Sequence, residues 1–121
     1  MEEYTNGFVR FIDLTFPLAL PRADWVLSLE VGEHIPAKME GMYLRNLHAH
    51  NCRGIVISWA GPGQRGTGHI NLRPRKYALE RFAELGYQPN EPLLEKIRAS
   101  PGGWPQIRRN IFVMVREHPA C

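Results

Sequence analysis

The chain has 121 residues, 44% of them hydrophobic, which is enough for a single core, so residues 1–121 are treated as one domain. Its 15 basic and 12 acidic side chains give a formal charge of +3, but the basic residues are spread along the chain and do not indicate a nucleic-acid partner. Because the sequence contains no apolar run of about 18 residues and starts with an acidic, polar segment, we expect a cytoplasmic protein with no membrane partner.

The two cysteines, Cys52 and Cys121, do not form a spaced framework. Structural disulfides in small proteins usually come as regularly spaced sets in exported chains. We therefore expect no structural disulfide here, and a reducing compartment.

Three apolar runs rich in β-branched and bulky residues predict strands, at residues 25–29, 54–59 and 110–115. Their lack of alternation is typical of strands buried on both faces of a sheet. A fourth short run, residues 8–12, predicts a further strand that ends at Asp13.

The segments between these strands carry helix signals. Pro36 suits the first position of a helix, and a second helix is predicted from near Pro74 to a stop at Gly86. Asn90 is a suitable cap for a third helix. Strands that alternate with helices favour an α/β fold with a mostly parallel sheet.

The loop after the first long strand contains two candidate site residues, Glu33 and His34, just before a predicted helix. In open α/β sheets ligands bind beyond the carboxyl ends of the strands. A carboxylate and an imidazole at this position could act as a general base or bind a hydroxylated ligand. Equally, the two side chains could simply cap the helix, and the sequence leaves both interpretations open.

The loop after the second long strand contains G-x-G-x-x-G at residues 61–66, the pattern of a dinucleotide-binding turn. We reject that interpretation because no helix opens within the glycines and Pro62 lacks the N–H that would bind phosphate. A flexible flap over a cleft fits better, and an ordinary surface loop remains the alternative. The side chains that such a flap offers are Trp59, Gln64, His69 and Asn71.

A metal site at His48, His50 and Cys52 is considered because imidazole and thiolate are good zinc ligands. The two histidines are two positions apart near a helix end, so they point in different directions. No second ligand pair follows at a known spacing. We therefore predict no metal site.

Residues 24–36, which read DWVLSLEVGEHIP, nearly match a motif after the fourth strand of class I S-adenosylmethionine-dependent methyltransferases. Residues 10–15 resemble the end of the family's third strand, residues 54–59 its fifth, and residues 110–113 its last, antiparallel strand. The chain thus resembles the C-terminal half of that domain. The resemblance implies a partial Rossmann-like methyltransferase sheet, mostly parallel with an antiparallel last strand, and helices on its faces.

The resemblance also implies S-adenosylmethionine as the cofactor and assigns candidate residues to its two sides. On the cofactor side, Asp13 and Leu14 would lie near the adenine, and Ser28, Leu29 and Glu30 near the methionyl-ribose part. On the acceptor side, Glu33, His34 and His69 would lie where a base takes the proton that methyl transfer displaces. The methyl acceptor itself cannot be inferred from these residues.

The sequence departs from the family because neither the glycine-rich cofactor turn nor the acidic residue of the second strand is found ahead of residue 8. We therefore expect methyl transfer to be impaired or to depend on a partner. The strand at residues 25–29 would be an open sheet edge, which recruits a cover. The candidates are residues 8–12, a second copy of the chain, or a separate polypeptide.

Two other interpretations stay open. The chain could be a noncatalytic interaction module derived from a methyltransferase, or part of an incomplete reading frame.

Overall fold

The computed structural model describes all 121 residues and contains four strands and four α-helices. None of the helices combines the length and apolar character that a membrane crossing requires. Short 3-10 turns occupy Glu3–Thr5, Gly32–His34 and Ala37–Met39. The strands are β1 (Ala23–Leu29), β2 (Asn51–Ser58), β3 (Tyr87–Pro89) and β4 (Ile111–Arg116), and the helices are α1 (Glu40–Ala49), α2 (Arg75–Glu84), α3 (Glu91–Ala99) and α4 (Pro105–Asn110).

The strands form one sheet in the order β1–β2–β4–β3. β1 and β2 are parallel, with Leu29 opposite Ser58, whereas β4 is antiparallel to both of its neighbours. Three strands therefore share one direction and only β4 is reversed. This confirms the predicted α/β class and the mostly parallel sheet with an antiparallel last strand.

The reversal of β4 decides which residues meet where the strands end. Ser58, the last residue of β2, pairs with Ile111, the first residue of β4. The ends of β1 and β2 and the start of β4 therefore lie side by side. We call this end of the sheet the rim.

Two apolar clusters pack on the sheet. The larger one joins Tyr43 of α1 and Phe82 of α2 to Ile55 and Ile57 of β2, and all four side chains are fully buried. The smaller one joins Leu94 of α3 to residues of β4. β4 is thus buried on both faces as predicted, but β1 is not, because Leu27 is 67% exposed.

Most helix boundaries follow the predicted signals. α2 ends two residues before Gly86, which has φ 89°, and the side chain of Asn90 accepts the Leu93 N–H at the start of α3. α1 starts later than Pro36 predicts, because a 3-10 turn comes first. The short helix α4 was not predicted.

The predicted strand at residues 8–12 is wrong. Phe8 and Phe11 are 92% and 88% exposed, and this segment pairs with no strand. It is held locally instead, since the Glu2 carboxylate accepts the Phe11 N–H at 2.6 Å. Strand propensity reflects packing on a pleated surface, and no such surface is offered here.

The expectation of no structural disulfide is also wrong, because Cys52 and Cys121 are bonded, with their Cα atoms 5.2 Å apart. After β4 the chain runs back past the start of β2, where the Ala120 N–H donates to the Cys52 carbonyl at 2.9 Å. The antiparallel return of β4 therefore brings together two cysteines that are 69 positions apart.

We expect Cys121→Ser to lower the free energy of unfolding by about 2–4 kcal/mol, since the disulfide restricts the unfolded chain over a long loop. Urea unfolding followed by circular dichroism, without reductant, measures this difference. Dithiothreitol should lower the stability of the wild type to that of the variant and leave the variant unchanged. Equal stabilities without reductant would contradict the prediction.

Candidate functional site at the rim of the sheet

Glu30 lies at the rim directly after β1. Its φ of 53° is in the left-handed region, which residues other than glycine seldom adopt. Two kinds of hydrogen bond hold it there: its N–H donates to the Ser58 Oγ at 2.8 Å, and its carboxylate accepts from Ser58 Oγ at 3.1 Å and Asn110 Nδ2 at 3.3 Å. The Glu30 carboxylate is therefore fixed between the ends of β1 and β2 and the start of β4.

Asn110 is a site residue that the sequence analysis missed. Its amide forms a reciprocal pair with Gln64, at 2.9 and 2.7 Å, and so connects the loop after β2 to Glu30. The sequence could have indicated Asn110, because a residue that precedes an antiparallel strand lies at the same end of the sheet as the ends of the parallel strands.

Ser28 and Leu29 point to opposite faces of the sheet, as neighbours in a strand do. Ser28 is buried, and its hydroxyl lies 2.8 Å from the Tyr43 hydroxyl. Burial raises the pKa of Tyr43, and the bond to Ser28 partly opposes that increase. Leu29 is half-buried and lines an apolar groove on the other face.

Asp13 and Leu14 have polar partners other than Glu30. Asp13 is exposed, and its hydrogen bonds to the Thr15 hydroxyl and N–H hold the pKa of its carboxyl below the usual value. The Leu14 carbonyl accepts from Asn46 Nδ2 at 2.9 Å, on the α1 side of the fold. No hydrogen bond or ion pair joins either residue to Glu30. Their role at the adenine stays a prediction.

Glu33, His34 and His69 come together as one cluster, although they lie on two different loops. One ligand atom from each side chain lies within 4.8 Å of the other two. The imidazole centroids of His34 and His69 are 5.0 Å apart in an edge-to-face arrangement. The structure therefore places the three predicted acceptor-side residues in one spot.

Glu33 is fully buried, and neither of its carboxylate oxygens has a hydrogen-bond partner. Burial raises the pKa of this carboxyl, and the negative charge of nearby Glu30 adds to the increase. A buried carboxylate without partners is unfavourable, so native structures usually pair it. The Glu33 carboxyl thus departs from the rule that buried polar groups are hydrogen-bonded, and this departure needs an explanation.

The backbone of Glu33 anchors the loop after β2. Its carbonyl accepts the N–H groups of Ile70 and Asn71 at 2.9 and 3.0 Å. The Trp59 indole donates to the Asn71 carbonyl at 2.9 Å. Gly32 permits this packing, because a Cβ there would collide with the Trp59 ring.

A second buried carboxylate, Glu40, fixes the end of the same loop. It accepts Asn71 Nδ2 at 2.9 Å, forms a 3.0 Å ion pair with Arg73, and accepts the Tyr77 hydroxyl at 2.5 Å. The last bond raises the pKa of Tyr77. As predicted, no helix opens within the glycines of residues 61–66, since α2 starts only at Arg75.

The loop also borders a cleft of about 280 Å³ beside the start of α2. Trp59 and Gln64 line it, together with Arg73, Arg75 and Arg109. Two of these arginines are paired, Arg73 with Glu40 and Arg75 with Glu91.

His48, His50 and Cys52, which were considered as metal ligands and rejected, have other partners. His48 bonds to the Tyr87 hydroxyl at 3.0 Å, His50 bonds to the Asn46 carbonyl at 2.7 Å, and Cys52 is in the disulfide.

Comparison with known proteins identifies relatives of this fold only among solved structures, since no family model and no curated protein matches the chain. Magnesium protoporphyrin IX methyltransferase (ChlM) from Synechocystis PCC 6803, with bound SAH, superposes with a TM-score of 0.61 at 16% identity, covering 88% of this chain and 49% of its own. The same enzyme with bound SAM superposes with a TM-score of 0.58 at 17% identity, and the match covers 88% of this chain and 44% of the enzyme's chain. A pericyclic reaction enzyme superposes with a TM-score of 0.54 at 15% identity, and the match covers 87% of this chain and 29% of the enzyme's chain.

The chain spans less than half the length of each of these solved structures. Identities this low relate folds and leave activity open. The chain therefore has a class I methyltransferase fold over the part of that domain that it spans.

Proposed function

We propose that this chain takes part in methyl transfer from S-adenosylmethionine to an acceptor, and that it does so together with a polypeptide that completes the sheet beyond β1. The observation that carries the proposal is the Glu30 carboxylate, held at the rim by Ser58 and Asn110. It lies in a fold shared with a methyltransferase whose structures hold SAM and SAH.

On the cofactor side, we propose that the residues of this chain bind part of the cofactor. When bound, S-adenosylmethionine supplies an electrophilic methyl group on a positively charged sulfur. Glu30 offers a carboxylate for its polar groups. Ser28 and Leu29, whose side chains point to opposite faces of the sheet, are proposed to lie near the methionyl-ribose part of the cofactor. Ser28 contributes through its position, because its hydroxyl is already bonded to Tyr43. Asp13 and Leu14 are proposed to meet the adenine.

The residues on the acceptor side handle the proton. The acceptor's lone pair forms the bond to the methyl carbon while the C–S bonding electrons return to sulfur, and the acceptor then loses its proton. His34 and His69 each present an imidazole that can take that proton, beside the carboxylate of Glu33. Much of the acceleration would come from holding donor and acceptor in line.

The open edge of β1 supports the need for a partner. β1 pairs only with β2, and Trp25 and Leu27 are 37% and 67% exposed. An unpaired edge with apolar side chains is a template for another chain. Since residues 8–12 do not cover it, the proposed cover is a second copy of this chain or a separate polypeptide.

A second candidate function is a noncatalytic interaction module, and one specific feature favours it. An apolar groove of about 520 Å³ runs along the open face of β1. Exposed apolar patches of this kind commonly mark interaction sites. Its apolar wall includes Leu27, Leu29, Val56, Ile97, Trp104 and Ile107.

We retain a cytoplasmic location as part of the proposal. That compartment keeps most protein thiols reduced, which requires the Cys52–Cys121 bond to be open there. Differential alkylation of the chain in cells, read by mass spectrometry, should then find both thiols free. A disulfide in freshly quenched cells would overturn the cytoplasmic assignment.

Calorimetric titration with S-adenosylmethionine separates the enzyme from the interaction module. We expect binding at micromolar concentration, either by the chain alone or with the partner that completes the sheet. Glu30→Gln should weaken it about tenfold or more, because a charge-assisted hydrogen bond is lost.

The matched control is Glu84→Gln, an exposed glutamate on α2 that pairs with Arg81, away from the rim. This variant should bind like the wild type. An absence of binding at millimolar concentration, with and without a partner, would favour the interaction module. Equal affinities for the wild type and Glu30→Gln would remove Glu30 from the cofactor side.

The open edge is tested by sedimentation velocity and amide exchange. If a second copy covers β1, the chain should sediment as a dimer, and Leu27→Arg should shift it to monomer. Phe8→Arg, which changes an even more exposed apolar residue in the segment that does not pair, should leave the dimer intact. A monomer whose outward amides of β1 exchange rapidly, even with candidate partners present, would contradict a covered edge.

A further inference from the structure

We propose that Glu33, His34 and His69 form a binding site for a first-row transition-metal dication such as Zn²⁺. The three side chains supply one carboxylate oxygen and two imidazole nitrogens within 4.8 Å of one another. Two histidines and one carboxylate are a common ligand set for such ions, and they leave coordination positions free for a substrate or water. This inference does not depend on methyl transfer.

The buried carboxylate of Glu33 is the first independent observation. It is fully buried, and neither oxygen forms a hydrogen bond in the structure. A buried charge is stable when it is paired or when it coordinates a metal. A cation between Glu33 and the two imidazoles would supply the partner that the protein does not.

Each imidazole has an outer hydrogen bond of the kind that metal-binding histidines usually have. His34 Nδ1 lies 2.9 Å from the Gly68 carbonyl, and His69 Nδ1 lies 2.8 Å from the Gln64 carbonyl. A carbonyl can only accept, so each Nδ1 carries the hydrogen and each Nε2 keeps its lone pair. Such outer contacts fix the tautomer and ring orientation of metal-binding histidines.

Glycines of the loop let its backbone approach both rings. A Cβ at Gly68 would lie 3.0 Å from the His34 ring, and a Cβ at Gly66 would lie 2.7 Å from the His69 ring. Gly68 also has φ 75°, which side-chain-bearing residues rarely adopt. The loop is thus shaped around the two imidazoles.

The ion fits after a small movement. Zinc binds nitrogen at about 2.0–2.1 Å, so ligand atoms around it are roughly 3–3.5 Å apart, and a separation of 4.8 Å has to shorten by roughly 1.3–1.8 Å. His34 is exposed and His69 is half-buried, so neither ring is enclosed on all sides. Two nitrogen ligands also favour zinc, cobalt or iron over Mg²⁺ and Ca²⁺, which prefer oxygen.

In the metal-bound state the two imidazoles are ligands, and the ion takes over their part in proton removal. An acceptor hydroxyl bound to the ion would lose its proton more readily, as zinc-bound water does. This would place the acceptor beside Glu30, on the side where the methyl group arrives.

The test uses the full chain, stripped with a chelator, with the Cys52–Cys121 disulfide intact so that no thiolate competes for the ion. Titration with Co²⁺ is followed by visible absorption, and titration with Zn²⁺ by calorimetry. We expect one ion per chain at micromolar concentration, with much weaker binding of Mg²⁺. Glu33→Gln, His34→Ala and His69→Ala should each weaken Co²⁺ binding about 100-fold or more, since loss of an outer contact alone costs 10–100-fold.

His118→Ala is the matched control, because His118 is exposed and lies outside the cluster. It should bind Co²⁺ like the wild type. Wild-type affinity in the three cluster variants, or no Co²⁺ binding by the wild type, would overturn the site.

A second measurement needs no variant and therefore survives a folding defect. Zn²⁺ should protect His34 and His69 of the wild type from diethylpyrocarbonate, while His118 stays reactive, as peptide mapping reveals. Equal reactivity of all three with and without Zn²⁺ would contradict the proposal. Because both readouts omit S-adenosylmethionine, a failure of cofactor binding leaves this inference standing, and the reverse also holds.

Discussion

The candidate site depends on one buried residue, Glu33, which has two opposed roles. Its backbone carbonyl accepts two N–H groups and fixes the loop after β2 against the end of β1. Its carboxylate, carried into the interior by the same turn, has no partner. The loop is thus held in place at the cost of an unpaired buried acid, which is the kind of strain that proteins retain at functional sites.

The reversed direction of β4 organises both ends of the sheet. It places Asn110 at the rim, where its amide contacts both Glu30 and Gln64. At the opposite end it carries the chain back to the start of β2, where the disulfide forms. A parallel last strand would begin at the opposite edge, and neither connection would form.

The open face of β1 is the second unsatisfied feature of the structure. Leu27 is exposed on a strand whose partners lie on one side only, and an apolar groove runs beside it. The solved structures of this fold are more than twice as long as the matched region. The open edge of β1 and the apolar groove beside it are both surfaces that a further polypeptide segment can cover.

The local sequence determined much of the fold. Unbroken apolar runs located β1, β2 and β4, and Asn90 and Gly86 marked helix ends, because caps and buried strands depend on neighbouring residues. The motif at residues 24–36 also located Glu30, Glu33 and His34. Tertiary structure alone decided that residues 8–12 stay unpaired and that Cys52 meets Cys121, whereas the family resemblance had already grouped His69 with Glu33. The unpaired segment and the disulfide both depend on which distant segments the sheet brings side by side, and neither residue type nor periodicity carries that information.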